Sequence, residues 1–188
     1  MEHALNRARI AIDRKLVEDG FVICALEGGA ATGKSTLAGQ LTGIYGAPVI
    51  AMDDFFLPPA LRTPERYAQI GGNIDSERFD REAAAFLRVR QPFSYSVYDC
   101  HHDRMAGEKR VPAAPVIIVE GVYSLHPRYR DVYNLRLFLR ASHETQDARL
   151  RARGEWLYRR FQEVWLPLEK AYFDSENWTV LCDAFIET

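Results

Sequence analysis

The chain has 188 residues, the usual length of one domain and enough to bury roughly 70% of the surface its unfolded form would expose. Hydrophobic residues make up 47% and charged residues 27%, a balance that excludes a disordered or collagen-like chain. With 24 Lys and Arg against 26 Asp and Glu, the net charge is −2, so neither nucleic acid nor a membrane surface is expected as a partner.

The longest apolar runs, such as Phe21 to Leu26, are far too short to span a bilayer, and Met1-Glu2-His3 does not begin a signal peptide. A cytoplasmic protein is expected. Cys24, Cys100 and Cys182 are odd in number and lack CxxC spacing, which reads as reduced thiols.

Leu5, Ala8, Ile12 and Leu16 recur at helical spacing and stop before Gly20, which predicts an amphipathic first helix with a glycine C-cap. Phe21 to Leu26 is apolar without alternation, the pattern of a strand covered on both faces. A Gly-rich turn then leads into a helix over Lys34 to Tyr45. Short apolar runs follow at Pro48 to Met52, Val116 to Val119, Leu135 to Leu139 and Thr179 to Cys182. Helical stretches are expected over Ser76 to Arg90 and from His143 to about Tyr172. This alternation predicts a three-layer α/β/α fold with a mainly parallel central sheet. Phe93, Tyr95 and Val97 alternate with Ser94, Ser96 and Tyr98, and a stretch near Lys109 to Val111 pairs with them as a small β-hairpin outside that sheet. With no repeat or linker, residues 1–188 read as a single domain with an acceptor-side insert at about 55–112 and a lid segment at about 149–166.

The turn after the first strand, Gly28-Gly29-Ala30-Ala31-Thr32-Gly33-Lys34-Ser35, followed by Thr36, matches GxxxxGK[ST] in the strand-to-helix context that this motif requires. Glycines let the backbone approach a phosphate chain, successive N–H groups point inward, and the following helix adds its positive end. Lys34 then serves the β- and γ-phosphates and the Ser35 hydroxyl a Mg²⁺ ion. A nucleoside triphosphate, ATP, with Mg²⁺ is the expected ligand.

A phosphate loop serves switches, motors and small-molecule kinases alike, so other residues must decide the reaction. Val49 to Met52 ends in Asp53-Asp54 at the carboxyl edge of the sheet, where Asp53 can take the proton of an attacking hydroxyl, with Asp54 as the alternative. Val116 to Val119 ends in Glu120, placed to support the metal. Among the arginines on the last helical stretch, Arg149 and Arg153 lie four apart on one face, suited to the charge of a transferring phosphoryl group. The neighbours His101, His102 and Asp103 are poorly placed to converge on one ion. Trp156, Phe161, Trp165, Tyr172 and Phe173 read as the buried face of a helix.

The chain resembles the uridine kinase family of P-loop kinases, relatives of phosphoribulokinase and pantothenate kinase. Gly28 to Ser35, Met52-Asp53-Asp54-Phe55-Phe56, Asn73-Ile74-Asp75, Tyr98-Asp99 and Glu120-Gly121 carry the resemblance, in the family's order. It implies Asp53 as catalytic base, Asp75 as a ribose-hydroxyl ligand, and Tyr98 with a nearby histidine as contacts for the base. Asp103 holds the family's histidine position, and a one-residue deletion brings His102 into register. Asp75 or Ser76 also qualifies as an N-cap. The expected function is ATP- and Mg²⁺-dependent phosphoryl transfer to a hydroxyl of a small molecule, a nucleoside such as uridine or cytidine. The alternatives are a same-fold kinase for pantothenate or a sugar derivative, and a nucleotide-dependent switch. Oligomeric state, a homo-oligomer included, is left open.

Overall fold

Helix α1 (Glu2–Asp19) turns Ala4, Ala8 and Ile12 inward and stops where Gly20 adopts a left-handed φ of 76°, its N–H bonded to the Leu16 carbonyl. The computed structural model describes residues 1–100 and 102–188. In chain order there follow β1 (Val22–Glu27), α2 (Lys34–Tyr45), β2 (Val49–Ala51), α3 (Pro64–Tyr67), α4 (Ser76–Phe79), α5 (Ala85–Val89), β3 (Phe93–Asp99), β4 (Arg104–Val111) and β5 (Val116–Glu120). The remainder comprises β6 (Leu135–Arg140), α6 (His143–Arg151), α7 (Glu155–Arg160), α8 (Leu166–Asp174), α9 (Trp178–Leu181) and β7 (Ala184–Glu187).

Five strands form a parallel sheet in the order β2-β5-β1-β6-β7, with Val22 beside Val116, Leu26 beside Glu120 and Cys24 beside Leu135. Both faces of this sheet are covered, which is why β1 reads as a continuous apolar run. Val22, Cys24 and Leu26 join Leu37 and Leu41 of α2 and the α1 stripe on one side. Ile23 and Ala25 join Phe79, Leu87, Tyr129, Tyr172 and Trp178 on the other. The β3–β4 hairpin stands apart as its own antiparallel pair, with Phe93 opposite Val111 and Tyr95 opposite Lys109. This is the predicted three-layer architecture. Among the described residues, no helix is long and apolar enough to cross a membrane.

Three boundaries differ from the sequence-based expectation. The run Thr179 to Cys182 is not a strand: Trp178 opens α9 and buries its ring against Phe138, with Nε1 donating to the Phe173 carbonyl at 2.7 Å. The edge strand begins only at Ala184, where the chain reaches Leu137 of β6. The helical stretch after His143 breaks at Gly154, whose φ of 102° interrupts α6 from α7, and loosens to a π-helical turn over Phe161–Trp165 before α8. A second π-helical turn, Asp80–Ala84, joins α4 to α5 within the expected Ser76 to Arg90 helix.

Candidate active site

β1, β2 and β5 deliver their carboxyl ends to one edge of the sheet, and the loops there enclose a cavity of about 510 Å³. That size suits a small-molecule site, and the carboxyl edge is where open α/β sheets bind ligands. Ala30, Ala31, Gly33, Lys34, Ser35 and Thr36 line it, while Gly28, Gly29 and Thr32 shape the loop from behind. Gly28 is required: its φ is 142°, and a Cβ there would meet the Leu139 carbonyl oxygen at 2.3 Å. The Thr32 hydroxyl donates to the Gly29 carbonyl at 2.8 Å, closing the turn. Lys34 bends back along the loop, its Nζ donating to the Gly28 and Gly29 carbonyls at 2.7 and 2.8 Å.

Beneath the loop lies Glu27, fully buried at the end of β1. Its Oε1 accepts from the Gly28 N–H at 2.9 Å, and its Oε2 accepts from the Leu125 N–H, the Ser124 hydroxyl and the Tyr172 hydroxyl. Burial pushes its carboxyl up to about 7, against the pull of those hydrogen bonds and of Lys34. A single acid thus ties the start of the phosphate loop to the segment after β5 and to α8.

The turn after β2 separates the two neighbouring aspartates. Asp54 is buried and fully engaged, accepting from the Tyr95 hydroxyl at 2.7 Å and from Lys109 Nζ at 3.0 and 2.8 Å, so it anchors the hairpin to the sheet edge. Asp53 instead lines the cavity, and among the described residues its side chain makes no hydrogen bond. Crowding by the surrounding cleft raises its carboxyl above the ordinary value, Lys34 and Arg153 oppose the shift, and Asp54 adds to it. A carboxylate with free lone pairs and a raised proton affinity is equipped to accept a proton.

Glu120, at the end of β5, accepts from the Ser35 hydroxyl at 3.0 Å on the cavity wall, and burial raises its carboxyl. Among the described residues, no cluster of three or more His, Cys, Asp or Glu side chains forms a metal cage. One hydroxyl and one carboxylate of hard oxygen character do fit Mg²⁺, which takes few protein ligands and draws the rest from water and phosphate. Arg149 and Arg153 both line the cavity, although Arg153 lies past the end of α6, in the turn before Gly154. Arg149 Nη1 donates to the Ala31 carbonyl at 3.0 Å.

Asp75, Tyr98 and His102 do not join these groups on the cavity wall. Asp75 caps α4, accepting from the Arg78 N–H at 3.0 Å. The Tyr98 hydroxyl accepts from Arg62 at 2.9 Å and donates to Asp103. His102 is exposed in the hairpin turn, its Nδ1 2.6 Å from Asp99, and His101 lies outside the described residues. The aromatic series splits as well, because the break at Gly154 and the π-turn change the helix phase: Tyr172 is buried in the core, Trp156 is 75% exposed, and Phe161 and Trp165 line the cavity with Phe56.

Three polar residues on the wall were not singled out from the sequence. Glu169 of α8 is buried and accepts from the Ala30 N–H at 2.9 Å. Asn73 and Tyr123 are 6% and 2% exposed. Asn73 stands within a motif that had drawn attention to Asp75, whereas nothing in the sequence marks the other two.

No family model matches the chain, and no curated protein sequence matches it. Solved structures do. The chain is similar to a possible uridine kinase from Bacillus stearothermophilus, at 19% identity over 96% of this chain and 99% of that one, with a TM-score of 0.69. It is equally similar, TM-score 0.69, to a protein from Silicibacter sp. TM1040 proposed to be a fructose transport system kinase, at 24% identity over 88% and 89% of the two chains. The D-glycerate 3-kinase of Cryptococcus neoformans matches at 13% identity over 90% of this chain and 88% of that one, with a TM-score of 0.62. The likeness is one of fold: the chain has the α/β/α fold of uridine kinase-like P-loop kinases.

Proposed function

We propose that the chain is an ATP- and Mg²⁺-dependent kinase that phosphorylates a hydroxyl of a small molecule, with a nucleoside such as uridine or cytidine as acceptor. The observation that carries this reading is Asp53: of two adjacent aspartates, it is the one whose carboxylate makes no hydrogen bond among the described residues, on the wall of the same cavity as Lys34. Transfer to an alcohol gives such a carboxylate a task beside the phosphate loop, that of taking the proton of the attacking hydroxyl.

In the proposed reaction, Asp53 takes the proton of the acceptor hydroxyl as its oxygen bonds to the γ-phosphorus. The bond from that phosphorus to the β,γ-bridging oxygen breaks, and ADP departs with the electron pair. Lys34, turning from the loop carbonyls, and Arg149 with Arg153 carry charge for the phosphates. Ser35 and Glu120 would hold Mg²⁺, which neutralises phosphate charge when bound. Residues 149–166 act as a lid, and its closure excludes water as a competing acceptor. Phe56, Phe161 and Trp165 line the cavity, an aromatic wall suited to a planar base, which supports the nucleoside over other acceptors.

The test is ADP release from ATP and Mg²⁺ with uridine and cytidine, alongside pantothenate and sugars, for the wild type and Asp53→Asn. Acceptor-dependent release that vanishes in Asp53→Asn, with ATP affinity retained, is expected. Tight ATP binding with no phosphorylated product from any acceptor would replace this reading by that of a nucleotide-dependent switch.

A further inference from the structure

Among the described residues the Asp53 side chain has no hydrogen bond to aim it, so its place on the cavity wall is set through the backbone of the turn it stands in, Met52–Phe55. That turn is gripped one residue further on. The Asp54 carboxylate, 10% exposed, accepts from the Tyr95 hydroxyl and, on both oxygens, from Lys109 Nζ. The Asp54 carbonyl accepts from Arg78 Nη2 at 2.7 Å. Tyr95 and Lys109 stand directly opposite one another across β3 and β4, so both side chains leave the hairpin on the same face and reach a single carboxylate. The hairpin touches the turn at a third point, where the Cys100 thiol donates to the Asp53 carbonyl at 3.8 Å.

Holding the hairpin in place does not require this cluster. Phe93, Tyr95 and Val111 are buried, the Tyr95 ring stacks on Phe55 with centroids 5.0 Å apart, and the Phe93 ring stacks on Phe86. A buried ion pair is often no better for stability than well-packed apolar side chains in its place, whereas removing one partner is costly. What the pair supplies is a single arrangement of the turn. Without Lys109, the buried Asp54 charge would keep only the Tyr95 hydroxyl. Swinging into the cavity for water, it would bring a fourth carboxylate to a wall that already holds Asp53, Glu120 and Glu169. The turn carrying Asp53 would move with it, and a displacement of about 1 Å at a reacting group costs on the order of 10²-fold in rate.

We propose that Lys109, with Tyr95, is a positioning residue for phosphoryl transfer: from the hairpin it ties Asp54 down and so keeps Asp53, alone of the two aspartates, on the cavity wall. This deepens the kinase reading above and rests on it. Lys109 is half exposed and does not line the cavity, so it acts through Asp54 and not on the substrate.

The experiment measures ADP release with the best acceptor among uridine, cytidine, pantothenate and sugars. It compares wild type, Lys109→Met, Lys109→Arg, Asp54→Asn and the double variant Asp54→Asn/Lys109→Met. Lys109→Met should lower kcat by about 10- to 100-fold, with the KM for acceptor and for ATP within a few-fold. Lys109→Arg, whose guanidinium also pairs with both carboxylate oxygens, should stay within a few-fold of wild type. Asp54→Asn removes the charge that Lys109 answers, so adding Lys109→Met in that background should cost less than about threefold. Losses that multiply in the double variant as if independent overturn the proposal, since Lys109 would then act without Asp54. So does a Lys109→Met protein with wild-type kcat, or one whose defect lies in the acceptor KM alone, the mark of a hairpin that has only come loose. If Lys109→Met does not fold, Tyr95→Phe decides, because it keeps the ring on Phe55 and deletes only the hydroxyl. A lower kcat at unchanged KM then supports the proposal, and an unchanged kcat ends it. All of these outcomes leave wild-type ADP release, and with it the kinase reading, intact. Absence of acceptor-dependent ADP release from the wild type ends both.

Discussion

Glu27→Gln tests the buried junction beneath the phosphate loop. The native carboxyl serves two backbone donors on opposite oxygens, Gly28 N–H on Oε1 and Leu125 N–H on Oε2. When protonated, its hydroxyl oxygen can still accept from one N–H while donating to Ser124 or Tyr172. A glutamine cannot, since whichever way the amide is turned its NH₂ faces one of those N–H groups. One buried donor is stranded, at about 1–3 kcal/mol, or roughly 2–12 °C in Tm for a domain of this size. The deficit should depend on pH in a definite direction. Folding raises the Glu27 carboxyl from the ordinary 4.5 to about 7. The native state therefore holds more protons in that interval and loses stability as pH rises. From pH 5.5 to 8 the wild type loses about 2 kcal/mol on this account, and the glutamine variant does not. Differential scanning calorimetry of both proteins at the two pH values should show a clear deficit at pH 5.5 that narrows by roughly 4–8 °C at pH 8. Equal melting temperatures at pH 5.5, or a gap independent of pH, would refute the two-donor argument.

Other expectations follow from the same geometry. Because the cleft raises the Asp53 carboxyl and the base acts deprotonated, kcat/KM should fall as pH drops through a value raised from that of an ordinary aspartate, and Asp53→Asn should remove that limb along with most of the rate. Lys34→Ala should cut turnover by about 10²–10³ in a coupled ADP assay and also lower the urea unfolding midpoint, because the Gly28 and Gly29 carbonyls lose their donor. Gly28→Ala should destabilise by more than about 3 kcal/mol in urea titration, because the new methyl group collides with the Leu139 carbonyl at 2.3 Å in a backbone conformation unsuited to alanine.

The strand, loop and helix over residues 22–45 are legible in the sequence because their determinants are local: an unbroken apolar run, glycines where the backbone must turn, and Lys34-Ser35 opening a helix. The Asp53-Asp54 pair is legible only as a pair. Which carboxylate faces the cavity depends on Tyr95 and Lys109 arriving from the hairpin to claim the other, a tertiary fact. Likewise Glu169 meets Ala30 across 139 positions of chain, and no local pattern announces it. The run Thr179 to Cys182 misleads because apolar residues of this length suit a helical turn as well as a strand, and only the reach of Leu137 to Ala184 decides where the strand begins.

The hydrogen bond from Ala30 to Glu169 makes the phosphate loop and helix α8 report on one another. An outward swing of α8 strips that amide of its acceptor, so its solvent exchange should quicken in step with opening. Deuterium uptake at this one position would therefore follow the fit between ligand and enclosure without any need to observe turnover.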